Sequence, residues 1–187
     1  LNPAIHGLGV AFEPRAFDPD THLYAPFYQR DPGGIALRRL EQAYRYVPYL
    51  YWDWYQIPRE LGRAEWSEPY FDEGGGDILM CTCSVPFHFG ADSSRRLAGM
   101  AVANISVDEL TQLISSVRIL DTGYAALLSR NGMILAHPLK DTVINETFFT
   151  IAEARRDPSL RELGRSMVRG ETGFVHYRSL AGAQSWM

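Results

Sequence analysis

Ile78-Leu79-Met80-Cys81-Thr82-Cys83-Ser84-Val85-Pro86-Phe87-His88-Phe89, followed after the polar stretch 90–96 by Leu97-Ala98-Gly99-Met100-Ala101-Val102-Ala103-Asn104-Ile105, decides the fold of this chain. Successive side chains of a strand point to opposite faces. Ile78, Met80, Thr82 and Ser84 therefore share one face, and Leu79, Cys81, Cys83 and Val85 the other. Two strands joined by a short polar loop form an antiparallel hairpin. Ser106-Val107-Asp108-Glu109 then has the capping-box pattern, a hydroxyl with a glutamate three residues on. Leu110, Leu113, Ile114 and Val117 follow at helical spacing.

Working outward, the run Asp72-Glu73-Gly74-Gly75-Gly76-Asp77 reads as a turn, because three glycines carry no regular element. Before it lie an aromatic stretch (Tyr49, Tyr51, Trp52, Trp54, Tyr55) and, after Pro58, a polar segment leading to Trp66, Pro69, Tyr70 and Phe71. Ile35 to Tyr46 reads as a short helix with Ile35, Leu37, Leu40 and Tyr44 as its apolar members, ended by Pro48. The first 35 residues are rich in turn formers and read as loops and strand fragments such as Leu8 to Phe12. Downstream, Asp121-Thr122-Gly123 is a turn. Tyr124 to Ser129 and Met133 to Ala136 are strands about the Asn-Gly signature of Arg130-Asn131-Gly132. Thr147 to Arg156 reads as a helix. Asp157-Pro158 opens another in the N-cap then N1 pattern, carrying Leu160, Leu163, Met167 and Val168 until Gly170 and Gly173. Phe174 to Ser179 reads as a strand. The sum is α+β with antiparallel sheets flanked by helices, divided near residues 117 to 121.

Composition narrows the function. The chain has 187 residues, 46% of them hydrophobic, and a formal net charge of -4. That suits one large domain or two small ones. No basic stretch of the kind that grips phosphate backbones is present, so no nucleic-acid partner is expected. No run of about 18 apolar residues is long enough to span a bilayer, and no charged-then-apolar leader opens the chain. Both ends, Leu1-Asn2-Pro3 and Trp186-Met187, read as cut, which leaves room for flanking membrane segments that the sequence itself does not show. Cys81 and Cys83 share one strand face, where a disulfide would be strained; without a CxxC partner they make a poor metal site. They read as small buried hydrophobes. His6, His22, His88, His137 and His176 form no HxxxH or HxH pair. No Gly-x-Ser-x-Gly elbow exists, and Gly74-Gly75-Gly76 lacks the Lys and Ser/Thr of a phosphate loop. No catalytic residue, metal or cofactor is expected. A hydrolytic enzyme with a spatially assembled site and a structural or dimerisation module without a ligand stand as alternatives to a ligand-binding module.

From Trp54-Tyr55 onward the chain resembles the Cache family, PAS-like extracellular sensor domains of bacterial receptors, and the double-Cache arrangement most closely. Four pieces carry the resemblance: Trp54-Tyr55 with Trp66-Ser67-Glu68-Pro69-Tyr70-Phe71-Asp72; the strand Ile78 to Phe87; Leu97 to Ser106 leading into the capped helix; and Asp121-Thr122-Gly123-Tyr124 through His137-Pro138. The resemblance implies a PAS-like/Cache fold with a membrane-distal lobe at 1–117 that holds the ligand pocket, and a partial membrane-proximal lobe at 118–187. It implies a periplasmic position in an inner-membrane receptor that is a homodimer at full length. It further implies a cytoplasmic output outside this chain: a histidine kinase of a two-component system, a HAMP-linked phosphatase, a cyclase or a chemotaxis transducer.

In Cache sensors that bind amino acids, an Arg two positions before the Trp-Tyr pair grips the ligand carboxylate, and an Asp near the end of the later strand holds the ammonium. Here those positions are Trp52 and Asn104, so the resemblance departs where the ligand's charges would be met. The expected site comprises Trp52, Trp54, Tyr55, Trp66, Tyr70, Asp72, Thr82, Ser84 and Asn104. Its aromatic members give flat apolar walls with polar tips, and Asn104 offers donors and an acceptor without net charge. The expected partner is a small neutral, weakly acidic or aromatic metabolite, or a cation over the aromatic faces. Trp54, Trp66 and Tyr70 also fit plain core, Asn104 fits a hydrogen bond to backbone, and Asp72 with Glu73 fits a solvated turn.

Overall fold

The computed structural model describes residues 5–44, 47–121, 123–180 and 184–186. Two compact units divide the chain, residues 1–107 and 108–187. The division falls earlier than 117 and counts most of the Val107–Ser115 helix with the second unit.

In the first unit the elements run β1 (Gly7–Phe12), β2 (Pro26–Asp31), β3 (Gly34–Arg39), α1 (Leu40–Ala43), α2 (Asp53–Leu61), β4 (Glu65–Trp66), β5 (Tyr70–Phe71), β6 (Leu79–Phe89) and β7 (Arg96–Ser106). Among the described residues they build one antiparallel sheet in the order β3-β2-β1-β7-β6-β4, with β5 also pairing β6. The expected hairpin is its spine: β6 and β7 pair from Met80 with Ser106 to Phe89 with Arg96, with a bulge at Phe87/His88.

Two local readings change. Residues 34–39 are a strand, not the start of a helix. Asp31-Pro32-Gly33-Gly34 closes a tight turn in which Asp31 Oδ1 accepts from the Gly33 N–H at 2.8 Å, and Leu37 pairs with Tyr28. Ile35 and Leu37 are two apart, a strand spacing, and only Leu40–Ala43 coil. Tyr46, the end of the expected helix, lies outside the described residues, as do Thr122 and Met187. Conversely, the Trp54-Tyr55 segment is helical: α2 buries Trp54, Tyr55 and Pro58 and ends at Gly62 with φ 65°. Trp54 and Pro58 stand four apart on one face, but an interior proline disguises that spacing because it removes a helix hydrogen bond.

The core face of the sheet carries Phe27, Ala11, Met100 and Val102, covered by Tyr49, Trp54 and Tyr55. Across it the register sets Gln29, Gly7, Asn104 and Thr82 in one row. Gly7 is required there by space, since a Cβ would stand 2.2 Å from Cζ of the buried Phe27 ring.

The second unit holds α3 (Val107–Ser115), β8 (Leu127–Leu128), β9 (Ile134–Ala136), α4 (Phe148–Ala154), α5 (Pro158–Val168), β10 (His176–Arg178) and β11 (Gln184–Trp186). The strands are shorter than the sequence patterns imply. β8 and β9 pair about the expected Asn-Gly turn, and β10 pairs β11. Its core joins Ile134, Phe148, Ile151, Leu160 and Tyr177. Asp157 caps α5 as its sequence predicts, accepting from the Ser159 and Leu160 N–H groups at 3.0 and 3.1 Å.

Gly7→Ala is expected to destabilise the chain by about 1–3 kcal/mol, the usual cost of overpacking. Phe27→Leu in the same background should recover part of it, read as the shift in urea midpoint.

Candidate ligand-binding site

Helix α2 and the β4–β5 segment face each other across a partly enclosed pocket of about 290 Å³. One wall is Trp52, Asp53, Trp54 and Ile57; the other is Ser67, Glu68, Pro69 and Tyr70. Both walls are fixed from outside the pocket. Trp52 stacks on Tyr44 at 4.9 Å and meets the Tyr70 ring at 5.7 Å. The second wall is tied to β6: the Ser67 N–H donates to Thr82 O, the Thr82 N–H donates to Ser67 Oγ at 2.9 Å, and Tyr70 shares a 2.7 Å hydrogen bond with Thr82 Oγ1. Burial, and then the nearby Asp72 charge, raise the Tyr70 phenol pKa well above its ordinary value. The phenol stays protonated.

Behind these walls the sheet carries buried polar groups whose needs are only partly met. Asn104 donates from Nδ2 to Met80 Sδ, a weak acceptor, at 2.7 Å. Asn104 Oδ1, Ser84 Oγ and Gln29 Oε1 have no hydrogen-bond partner, nor does the Trp52 indole N–H. The Trp54 indole N–H approaches the Tyr44 hydroxyl without reaching hydrogen-bond geometry. A buried polar group left unpaired costs about 1–3 kcal/mol. Several in one region mark a place where stability yields to another requirement.

Asp72 has a different role. It is 1% exposed, not a solvated turn residue. Its carboxylate accepts from the Tyr44 hydroxyl at 2.7 Å and the Gly76 N–H at 2.8 Å. The glycine run wraps it so closely that a Cβ at Gly75 would stand 2.3 Å from Asp72 Oδ2. Burial raises the Asp72 carboxyl above its usual range, partly opposed by the two hydrogen bonds.

The nine expected residues thus separate. Trp52, Trp54 and Tyr70 line the pocket. Thr82 braces Tyr70 from the sheet. Ser84 and Asn104 are buried on the same sheet face but do not line the pocket. Tyr55 sits in the core and donates to Glu13 Oε1 at 2.8 Å. Trp66 is 52% exposed on edge strand β4, since only every second residue of a strand faces inward. Asp72 organises the glycine turn. Sequence reasoning missed Asp53, Ile57, Ser67, Glu68 and Pro69 as wall residues. It also missed Gln29, whose place beside Asn104 follows only from the β2-β1-β7 register. Cys81 and Cys83 are free thiols; burial and the Glu68 charge push Cys81 up to about 11.

The fold is an antiparallel PAS-like sheet with an aromatic-walled pocket beside it. Residues 1–112 match the family model for the first PDC sensor domain of methyl-accepting chemotaxis protein-like receptors, and the chain belongs to that family. It is 34% identical over 98 residues to the methyl-accepting chemotaxis protein PscA of Pseudomonas syringae pv. tomato, covering 51% of this chain and 15% of that receptor. The extracellular domain of mmHK1S-Z3, named as a histidine kinase, superposes with a TM-score of 0.76 at 26% identity, covering 97% of this chain and 66% of that one. The ligand-binding domain of the Pseudomonas aeruginosa amino acid chemoreceptor PctB in complex with L-Gln shares the fold, with a TM-score of 0.55 at 20% identity over 84% of this chain and 57% of that one. The match spans only 15% of the PscA receptor's length. The family is one of receptor sensor domains, not of enzymes.

Because the folded chain holds the Asp72 proton above the ordinary value of 3.8, this group's contribution is full below that value and is lost as pH rises through the folded pKa. Asp72→Asn is expected to cost about 1–3 kcal/mol by setting an amide against the Gly76 N–H. It should also flatten the fall in urea-unfolding free energy as pH rises above about 4.

Proposed function

We propose that this chain is the periplasmic sensing module of a bacterial transmembrane receptor, and that the pocket between α2 and the β4–β5 segment seats its signal molecule. Residues 1–117 would form the membrane-distal, ligand-binding lobe and 118–187 the membrane-proximal lobe of a double-Cache arrangement. Any catalytic output belongs to a cytoplasmic module, a histidine kinase or a chemotaxis transducer, and the full receptor works as a homodimer. One observation carries this reading: Trp52, Trp54 and Tyr70 wall a pocket of about 290 Å³ beside buried polar atoms without partners. Ligand sites are concave, mostly apolar and furnished with a few convergent polar groups. That volume sits at the small end of the ~300–1,000 Å³ range, which fits a metabolite.

Ligand binding draws the two walls together. Tyr70 and Ser67 are bonded to Thr82, so closure is felt directly by β6 and its partner β7. A ligand shifts the receptor only by its differential affinity for two states, and wall closure supplies that difference.

A panel of small metabolites should contain a compound that raises the melting temperature of the wild-type chain. At a hundredfold excess over its Kd the gain is about 2.7 kcal/mol, a rise of roughly 5–10 °C for a chain of this size. Trp52→Ala should abolish the rise while Trp66→Ala, on the edge strand, keeps it. Equal loss in both variants would remove the pocket from the mechanism.

A further inference from the structure

The sheet of the first unit has two edges of different kinds. At one, β4 is two residues long, too short to template another strand. At the other, β3 runs for six residues, Gly34–Arg39. It pairs β2 in continuous register, from Pro26 with Arg39 to Asp31 with Gly34. Among the described residues no strand pairs its other side. Edge strands are commonly blunted by a proline, a bulge or a covering segment. β3 holds no proline and no register shift, and five of its six residues are exposed. Its charges, Arg38 and Arg39, stand together at one end.

The register assigns the free backbone groups. Opposed residues of an antiparallel pair alternate between exchanging both N–H···O bonds and exchanging none. The Leu40 N–H donates to Ala25 O at 3.0 Å, and Pro26, opposite Arg39, has no N–H to give. Gly34, Ala36 and Arg38 therefore bond to β2, while the N–H and C=O groups of Ile35, Leu37 and Arg39 point away from the sheet. The Ile35 and Leu37 side chains lie on the face opposite the core, 56% and 48% exposed. Leu37 continues there into a row with Tyr28 and Leu8. Open backbone groups and an exposed apolar row on one strand suit the addition of a further strand.

We propose that β3 pairs antiparallel with β3 of a second copy of this chain, about a two-fold axis at Leu37, joining two sheets into one. In that register Leu37 meets its own copy, Ile35 meets Arg39 and Ala36 meets Arg38. All the outward backbone groups are used, and no arginine stands opposite an arginine. The Arg39 guanidinium is engaged within its own copy, 4.8 Å from the Tyr24 ring centre and 3.7 Å from Glu41. A two-fold contact must be self-complementary in this way. A six-residue edge is smaller than the ~800 Å² per partner of a standard interface, so the isolated chain associates weakly. The ligand pocket plays no part in the argument.

Sedimentation velocity of the wild-type chain from about 10 µM to about 1 mM, with residue-resolved amide exchange at both ends of that range, tests it. The sedimentation coefficient is expected to rise toward that of a dimer. The Ile35, Leu37 and Arg39 amides should exchange freely in the dilute chain and slow severalfold in the concentrated one. Those of Gly34, Ala36 and Arg38 should be protected in both. Leu37→Lys, which sets two ammonium groups across the axis, should abolish the dimer with the urea midpoint little changed. Leu37→Pro should also abolish it, because the N–H it removes points away from β2. A monomer throughout the range overturns the proposal. So does a dimer that leaves those three amides unprotected, or one that Leu37→Lys does not weaken. Each of those results leaves the sensing role standing, since the metabolite panel tests that role separately.

Discussion

Antiparallel pairing of Leu79–Phe89 with Arg96–Ser106 is the constraint on which the first unit depends. The two long strands fix which side chains face inward, and every other element is positioned against that choice. β1 adds to β7 and places Gly7 beside Asn104. The β4 and β5 pieces add to β6 and bring Ser67 and Tyr70 over Thr82. A slip of one residue would turn Thr82, Ser84 and Asn104 outward, since the side-chain period of a strand is two. The hairpin is thus both the spine of the sheet and the rear support of the pocket.

The core face is divided between an apolar region and a polar one. Toward one end, Ala11, Met100, Tyr49 and Tyr55 pack as an ordinary apolar core, and the buried tyrosines send their hydroxyls to Phe12 O and Glu13 Oε1. Toward the other end the inward residues turn polar, in the row of Gln29, Gly7, Asn104 and Thr82. The first region supplies stability by burying aromatic area. The second gives some of it up, with amide and hydroxyl groups that find no partner.

Asp72 shows how a turn is built to hold such a region. Its buried carboxyl binds the Tyr44 hydroxyl and the Gly76 N–H, and Tyr44 in turn stacks on Trp52. The glycine run and one pocket wall are therefore connected through a single carboxyl group. A Cβ at Gly75 would crowd that group, one at Gly74 the Ala43 carbonyl, and one at Gly76 the Met80 methyl.

Read alone, the sequence determined the elements whose chemistry is local. The alternation in residues 78–105, the Asp157-Pro158 helix start and the Asn-Gly turn at 131–132 each follow from side chains a few positions apart, and local geometry does not depend on the rest of the fold. The aromatic residues that line the pocket, Trp52, Trp54 and Tyr70, could be named from the sequence because they stand within twenty positions of one another. Tertiary structure alone decided that 34–39 is a strand, because pairing with β2 overrides a four-residue helical tendency. It alone decided that Trp54 and Tyr55 lie on a helix while Trp66 faces outward, and that Asp72 is interior. These outcomes depend on which distant segment supplies a hydrogen-bond partner or a covering ring, and that information is held in pairing between residues tens of positions apart.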